Sequence, residues 1–208
     1  MGINERKERD KEELKAKILE AAKELFINRG YEETSIRNIA EKIEYSPTTI
    51  YLYFKDKDSI FYELHRLGFM QMNQMFGVLQ FVSDPFERLI NMGRIYMQFA
   101  MENKEMYDLM FIMNAPINCI EVEELLSWKE GQTGFDTLKV VVNECMEKGY
   151  FKDQELESFS FLIWSTIHGI CSLHIRQRCQ HVISEENRGK IIPKAFEAFI
   201  NTLRTMKN

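Results

Sequence analysis

The chain has 208 residues, 45% of them hydrophobic and 28% charged, with only 10 Gly and 4 Pro. That length supports one or two domains with a real core, and the scarcity of turn formers excludes a many-turned β architecture in favour of helices. The net charge of −5 excludes a generally basic nucleic-acid binder, and residues 1–60, with 12 Lys+Arg against 13 Asp+Glu, are not basic either, so any phosphate-binding surface has to be local.

Leu14, Ile18, Ala21, Ala22 and Leu25 recur at helical spacing and predict a first helix over about residues 9–29, stopped at Gly30. Thr34 or Ser35 caps a two-turn helix carrying Ile36, Ile39, Ala40 and Ile43. After the short connection Glu44-Tyr45, Ser46-Pro47 reads as N-cap plus first helical residue, opening a second short helix. Asp56 caps a long helix over about 57–81. Ser83-Asp84-Pro85 starts another to about 102, and a short apolar one covers 104–113. Residues 119–148 are expected to be helical with a break at 131–134. A strongly apolar segment over 153–180 and a last helix over 184–206 bring the total to roughly nine. No strand-like alternation or repeat stands out, so the fold class is all-α.

No apolar run reaches the roughly 18 residues that suggest a membrane span. Four cysteines without paired close spacing, behind a polar N-terminal stretch, read as reduced thiols in a cytoplasmic protein. Twelve Met fit either an irregular core or an adaptable cavity.

Two short helices joined by a tight turn, flanked by longer ones, have the layout of a helix-turn-helix over residues 34–53. Ile50 and Phe54, at i and i+4, anchor the second short helix. Its free face carries Ser46, Pro47, Thr48, Thr49, Tyr51 and Tyr53, hydroxyls and rings suited to phosphates, base edges and thymine methyl groups. Thr34 and Arg37 at the start of the bracing helix, and Lys57 at the start of the long one, complete the expected DNA-binding set. Spacing alone does not demonstrate DNA binding.

The stretches Ile18-Leu19-Glu20-Ala21-Ala22-Lys23-Glu24-Leu25-Phe26, Gly30-Tyr31-Glu32-Glu33-Thr34-Ser35-Ile36, Ile39-Ala40 and Thr49-Ile50-Tyr51-Leu52-Tyr53-Phe54-Lys55-Asp56-Lys57 resemble the TetR/AcrR (tetracycline-repressor) family of bacterial regulators over about residues 10–62. The resemblance implies a helix-turn-helix DNA-binding domain at 1–56 and a ligand-binding and dimerisation domain at 57–208. It implies a homodimer on a pseudo-palindromic operator that represses transcription until a small molecule binds. Thr48 stands where many members have Gly or a longer polar residue, so the operator sequence is not inherited. Trp164, His168 and Gly169 resemble the Trp/His-Gly signature of one C-terminal subgroup.

Tyr96, Tyr107, Met110, Phe111, Trp164 and His168 are candidate ligand contacts for an apolar or aromatic effector, and a packed core explains them equally well. Phe159, Ile163, Ile167, Ile170, Phe196, Phe199 and Leu203 are candidates for a dimer interface. His168, Cys171, His174, Cys179 and His181 do not converge at about 100° per residue, so no metal or cofactor is expected. No catalytic motif is present. The alternative to a regulator is a helical small-molecule binder or enzyme without DNA binding, favoured by the weak positive charge.

Overall fold

A computed structural model describes residues 2–113 and 129–207. Ten α-helices and no strand are found among the described residues: α1 (Ile3–Arg29), α2 (Ile36–Lys42), α3 (Pro47–Tyr51), α4 (Lys57–Phe76), α5 (Pro85–Glu102), α6 (Lys104–Phe111), α7 (Lys129–Glu147), α8 (Leu156–Ile175), α9 (Cys179–Val182) and α10 (Ile191–Thr205). The all-α class expected from composition is the observed one.

The boundaries follow local chemistry. Helix α1 begins six residues earlier than expected, because the charged stretch before Leu14 contains no Gly or Pro to stop it. Ser35 caps α2 by accepting from the Asn38 N–H, and the Asn38 side chain accepts from the Ser35 N–H in return. Ser46 caps α3, with Pro47 at its first position. Helix α4 ends at Phe76 and tightens into a 3-10 turn, Gly77–Phe81. The break expected at 131–134 is absent, and α7 runs through both glycines. The expected 119–128 segment and Cys119 lie outside the described residues. The tenth helix is the single turn α9.

Contacts divide the described residues into two units, residues 2–70 with 105–113, and residues 71–104 with 129–207. In the first, Ile18, Ala22, Phe26, Ile39, Ile50 and Ile60 are fully buried and bring α1 to α4 around one core, with Leu109 of α6 attached. In the second, α5 packs on α7 and α8, and α8 also packs on α10. A Cβ at Gly93 of α5 would lie 2.8 Å from Phe196 Cε2 and 3.0 Å from Ile167 Cδ1, so these helices meet at glycine distance.

Two expectations need correction. Helix α8 is long and apolar enough by length and composition alone to cross a membrane; 28% of that window is buried, where it packs on α5, α7 and α10. The expected dimer face is the core face of the chain itself: Phe159, Ile163, Ile167, Phe196 and Leu203 are all buried. Only Ile170 and Phe199 of that set reach the surface in part. The apolar residues that α8 does expose are Phe161, Leu162 and Leu173. Periodicity located an apolar stripe correctly but could not say which partner covers it.

Candidate functional site

The sequence around α2 and α3 builds a rigid platform. Ile39 and Ala40 of α2 and Ile50 of α3 are fully buried and Phe54 nearly so, which fixes the second helix against the first. Burying Ile50 alone is worth about 2–3 kcal/mol. The turn is closed by the Tyr45 N–H donating to the Ala40 carbonyl at 3.0 Å. Glu44 there adopts φ 61, a left-handed conformation that costs a side-chain-bearing residue about 1 kcal/mol. At the next bend the Ser46 hydroxyl accepts from the Thr49 N–H at 3.2 Å and lies 2.9 Å from the Thr49 hydroxyl.

Opposite the anchors, Ser46, Thr48, Tyr51 and Leu52 are exposed, Pro47, Thr49 and Tyr53 half-buried, and Arg37 of α2 is exposed. The expected reading residues of α3 and its flanks are thus all at least partly exposed, and none of them is charged.

Two expected contacts are placed differently. Thr34 is buried, and its hydroxyl donates to the Gly30 carbonyl at 2.8 Å, satisfying the end of α1. The Lys57 ammonium donates to the Tyr31 carbonyl at 2.8 Å and lies 4.1 Å above the centre of the Tyr31 ring. Tyr31 itself is buried, packs edge-on to Phe61 at 5.3 Å, and its hydroxyl donates to Asp58. Tyr31 is thus clamped by the first turn of α4, and the loop that leads into α2 is fixed to that helix. The clamp was not foreseen in the sequence, although a Tyr directly after a helix-stopping Gly and a Lys-Asp pair opening the next helix were both visible there. A second tie joins α1 to α4: Glu63 binds Arg66 at 2.7 Å and Lys15 at 2.9 Å. Arg66 first, then Lys15, holds the Glu63 carboxyl below its usual range.

The predicted ligand residues fall into both units. In the second, the Tyr96 hydroxyl lies 3.0 Å from His168 Nδ1 and accepts from Trp164 Nε1 at 3.4 Å, making a polar chain between α5 and α8. Burial pushes the His168 pKa down, so the ring is neutral at pH 7. Trp164 is further wrapped by Phe135 and Phe161. In the first unit, Tyr107 and Phe111 pack at 5.1 Å and the Met110 carbonyl lies 3.0 Å from His65 Nε2. An open groove of about 330 Å³ between α5 and α10, lined by Met97, Met101, Pro193 and Phe196, shares none of the predicted ligand residues.

Among the described residues no group of three His, Cys, Asp or Glu side chains is placed to hold a metal ion. Burial raises the Cys145 and Cys171 thiols to about 12, which leaves them un-ionised and unreactive at neutral pH.

With that geometry in view, two family profiles match the chain: "Bacterial regulatory proteins, tetR family" over residues 18–64 and "Tetracyclin repressor-like, C-terminal domain" over residues 89–189. An uncharacterized HTH-type transcriptional regulator of Bacillus subtilis, YhgD, is 26% identical over 147 residues, 70% of this chain and 76% of the relative. The HTH-type transcriptional regulator QacR of Staphylococcus aureus is 45% identical over 51 residues, 24% of this chain and 27% of QacR. The solved structure of the fatty acid degradation regulator FadR from Bacillus halodurans shares the fold, with a TM-score of 0.70 at 16% identity over 89% of this chain and 94% of FadR. The helix-turn-helix built on Ile50 and Phe54, and the helical unit that follows it, place this chain in the tetracycline-repressor family of bacterial transcriptional regulators.

Proposed function

We propose that the chain is a cytoplasmic, homodimeric repressor that holds a palindromic operator and leaves it when a small apolar or aromatic effector binds. In this reading Arg37, Ser46, Pro47, Thr48, Thr49, Tyr51 and Tyr53 touch DNA, and Thr34 and Lys57 hold those residues in position. Electrostatic attraction is modest because Arg37 is the one charged residue among these contacts, so tight binding requires two protomers on one duplex.

The dimer is supported by the outward face of α8. Leu162, Thr166, Gly169 and Leu173 follow one another at i, i+4, i+7 and i+11, and no Asp, Glu, Lys or Arg occurs between residues 158 and 173. Only 28% of the apolar window of this helix is buried. Among the described residues, nothing lies within 4 Å of a Cβ placed at Gly169. A mid-helix glycine costs about 1 kcal/mol relative to Ala; close approach by a second copy would offset it.

The observation that carries effector binding is the polar chain Trp164–Tyr96–His168 between apolar helices. It sets mutually hydrogen-bonded polar groups among apolar side chains, and a ligand with an apolar body and one polar tip engages them by exchanging partners with the chain. Tyr107, Met110 and Phe111 on α6 belong to the first unit and are not part of this proposed site. The test is emission titration of a panel of aromatic and alkyl compounds, with Trp164→Phe as control, alongside release from the DNA upstream of the chain's own gene. One compound should quench Trp164 and release the DNA at the same concentration. A compound that releases DNA with equal potency from wild type, Trp164→Phe and Tyr96→Phe would contradict this site.

A further inference from the structure

Among the described residues of the DNA-binding unit, the exposed large apolar side chains are Tyr45 at 44%, Tyr51 at 56% and Leu52 at 76%. All three lie on α3 or its immediate flanks; the other large apolar side chains whose burial is described in this unit are buried or half-buried. Leu52 is held in helical conformation at φ −73, ψ −17, with its N–H donating to the Thr49 carbonyl at 3.2 Å. Its position is therefore fixed. At about 100° per residue it shares the face of Thr48, four residues earlier, and points away from the Ile50 anchor.

We propose that Leu52 is a specificity-determining residue that reads thymine methyl groups in the major groove. A leucine side chain has no donor or acceptor, so it cannot bind phosphate or the polar edge of a base; the apolar feature a base pair offers in the major groove is the thymine methyl. Helix α3 has five residues, about 7.5 Å of rise. The groove is about 12 Å wide, so a side chain at either end of α3 stays within its walls. Thr48 supplies a second methyl on the same face, with a hydroxyl beside it. The side chain thus adds preference for A·T pairs at a defined position without adding charge, in keeping with the low charge of the surrounding surface.

The test uses the full chain and an operator selected from random DNA. Each thymine is replaced in turn by uracil, which removes the methyl and keeps the pairing. With wild type, uracil at the read position of one half-site should weaken binding about fourfold, the transfer cost of one buried methyl. Leu52→Ala should fold with an unchanged melting temperature, bind the thymine operator more weakly, and show no thymine-over-uracil preference at that position. An equal uracil penalty in both proteins at every position, or undiminished binding by Leu52→Ala, overturns the inference while leaving DNA binding itself intact. A chain that enriches no sequence overturns it together with the family's function.

Discussion

Lys57→Met tests the clamp on Tyr31. The substitution keeps the aliphatic stem and removes the ammonium, which makes one charge-assisted hydrogen bond at 2.8 Å and one ring contact at 4.1 Å. A hydrogen bond from a charged group contributes about 1.5–3 kcal/mol when buried; Lys57 is half-exposed, which reduces this to about 1. The ring contact adds about 0.5–1 kcal/mol. The sum, about 1.5–2 kcal/mol, lowers the melting temperature by about 3–8 °C for a chain of this size. Operator affinity falls as well, since the loop entering α2 loosens. The slope of log affinity against log salt stays unchanged, because the ammonium is committed to a backbone carbonyl and not to phosphate. Melting curves and operator titrations at several salt concentrations check both outcomes. An unchanged melting temperature with a slope smaller by about two per dimer, about 0.9 for each lysine released from phosphate, would refute the clamp and return Lys57 to the DNA-contacting set.

Four other outcomes follow from the structure. Glu44→Gly relieves the left-handed turn at φ 61, and the urea midpoint should rise by the equivalent of about 1 kcal/mol with an unchanged m-value. Gly93→Ala places a Cβ 2.8 Å from the Phe196 ring and should cost about 1–3 kcal/mol, whereas Gly169→Leu should leave the protomer folded and shift sedimentation toward monomer. His168 has a folded-state pKa below its ordinary 6.5, so the unfolded chain binds the extra proton first; stability is complete above that value and falls as pH drops from about 6.5 toward the folded-state pKa. Thermal melts between pH 7.5 and 5 should show this loss in wild type and not in His168→Gln; carboxylates such as Glu63, held below 4.5, titrate at lower pH.

Much of the reading unit was legible because its signals are local. A Ser-Pro pair, a capping Ser and the Ile50/Phe54 spacing act within one or two turns, and the structure places them as expected. What was not legible depends on partners distant in sequence. Lys57 finds Tyr31 26 residues away, and the Lys-Asp pair that opens α4 does not by itself say which group takes its charge. Thr34 looked like a surface hydroxyl until the end of α1 took it. Leu52 carries no local signal of exposure, because an apolar residue two positions from the Ile50 anchor fits core and surface alike; the rotation of α3 exposes it. In the second unit, the stripe Phe159, Ile163 and Ile167 has the spacing of a buried face, and burial inside one chain or between two copies gives the same pattern.

In the proposed function two copies of this helix-turn-helix read one duplex together. Selection of random DNA by the full chain, followed by sedimentation of the complex, tests it most directly. The expected result is an enriched inverted repeat, its half-site centres one helical turn or a multiple of about 10–10.5 base pairs apart, bound by two chains per duplex or a multiple of two, with Tyr51→Phe weakening binding. Enrichment of no sequence, or of an unrepeated site bound by a single chain with full affinity, would contradict it.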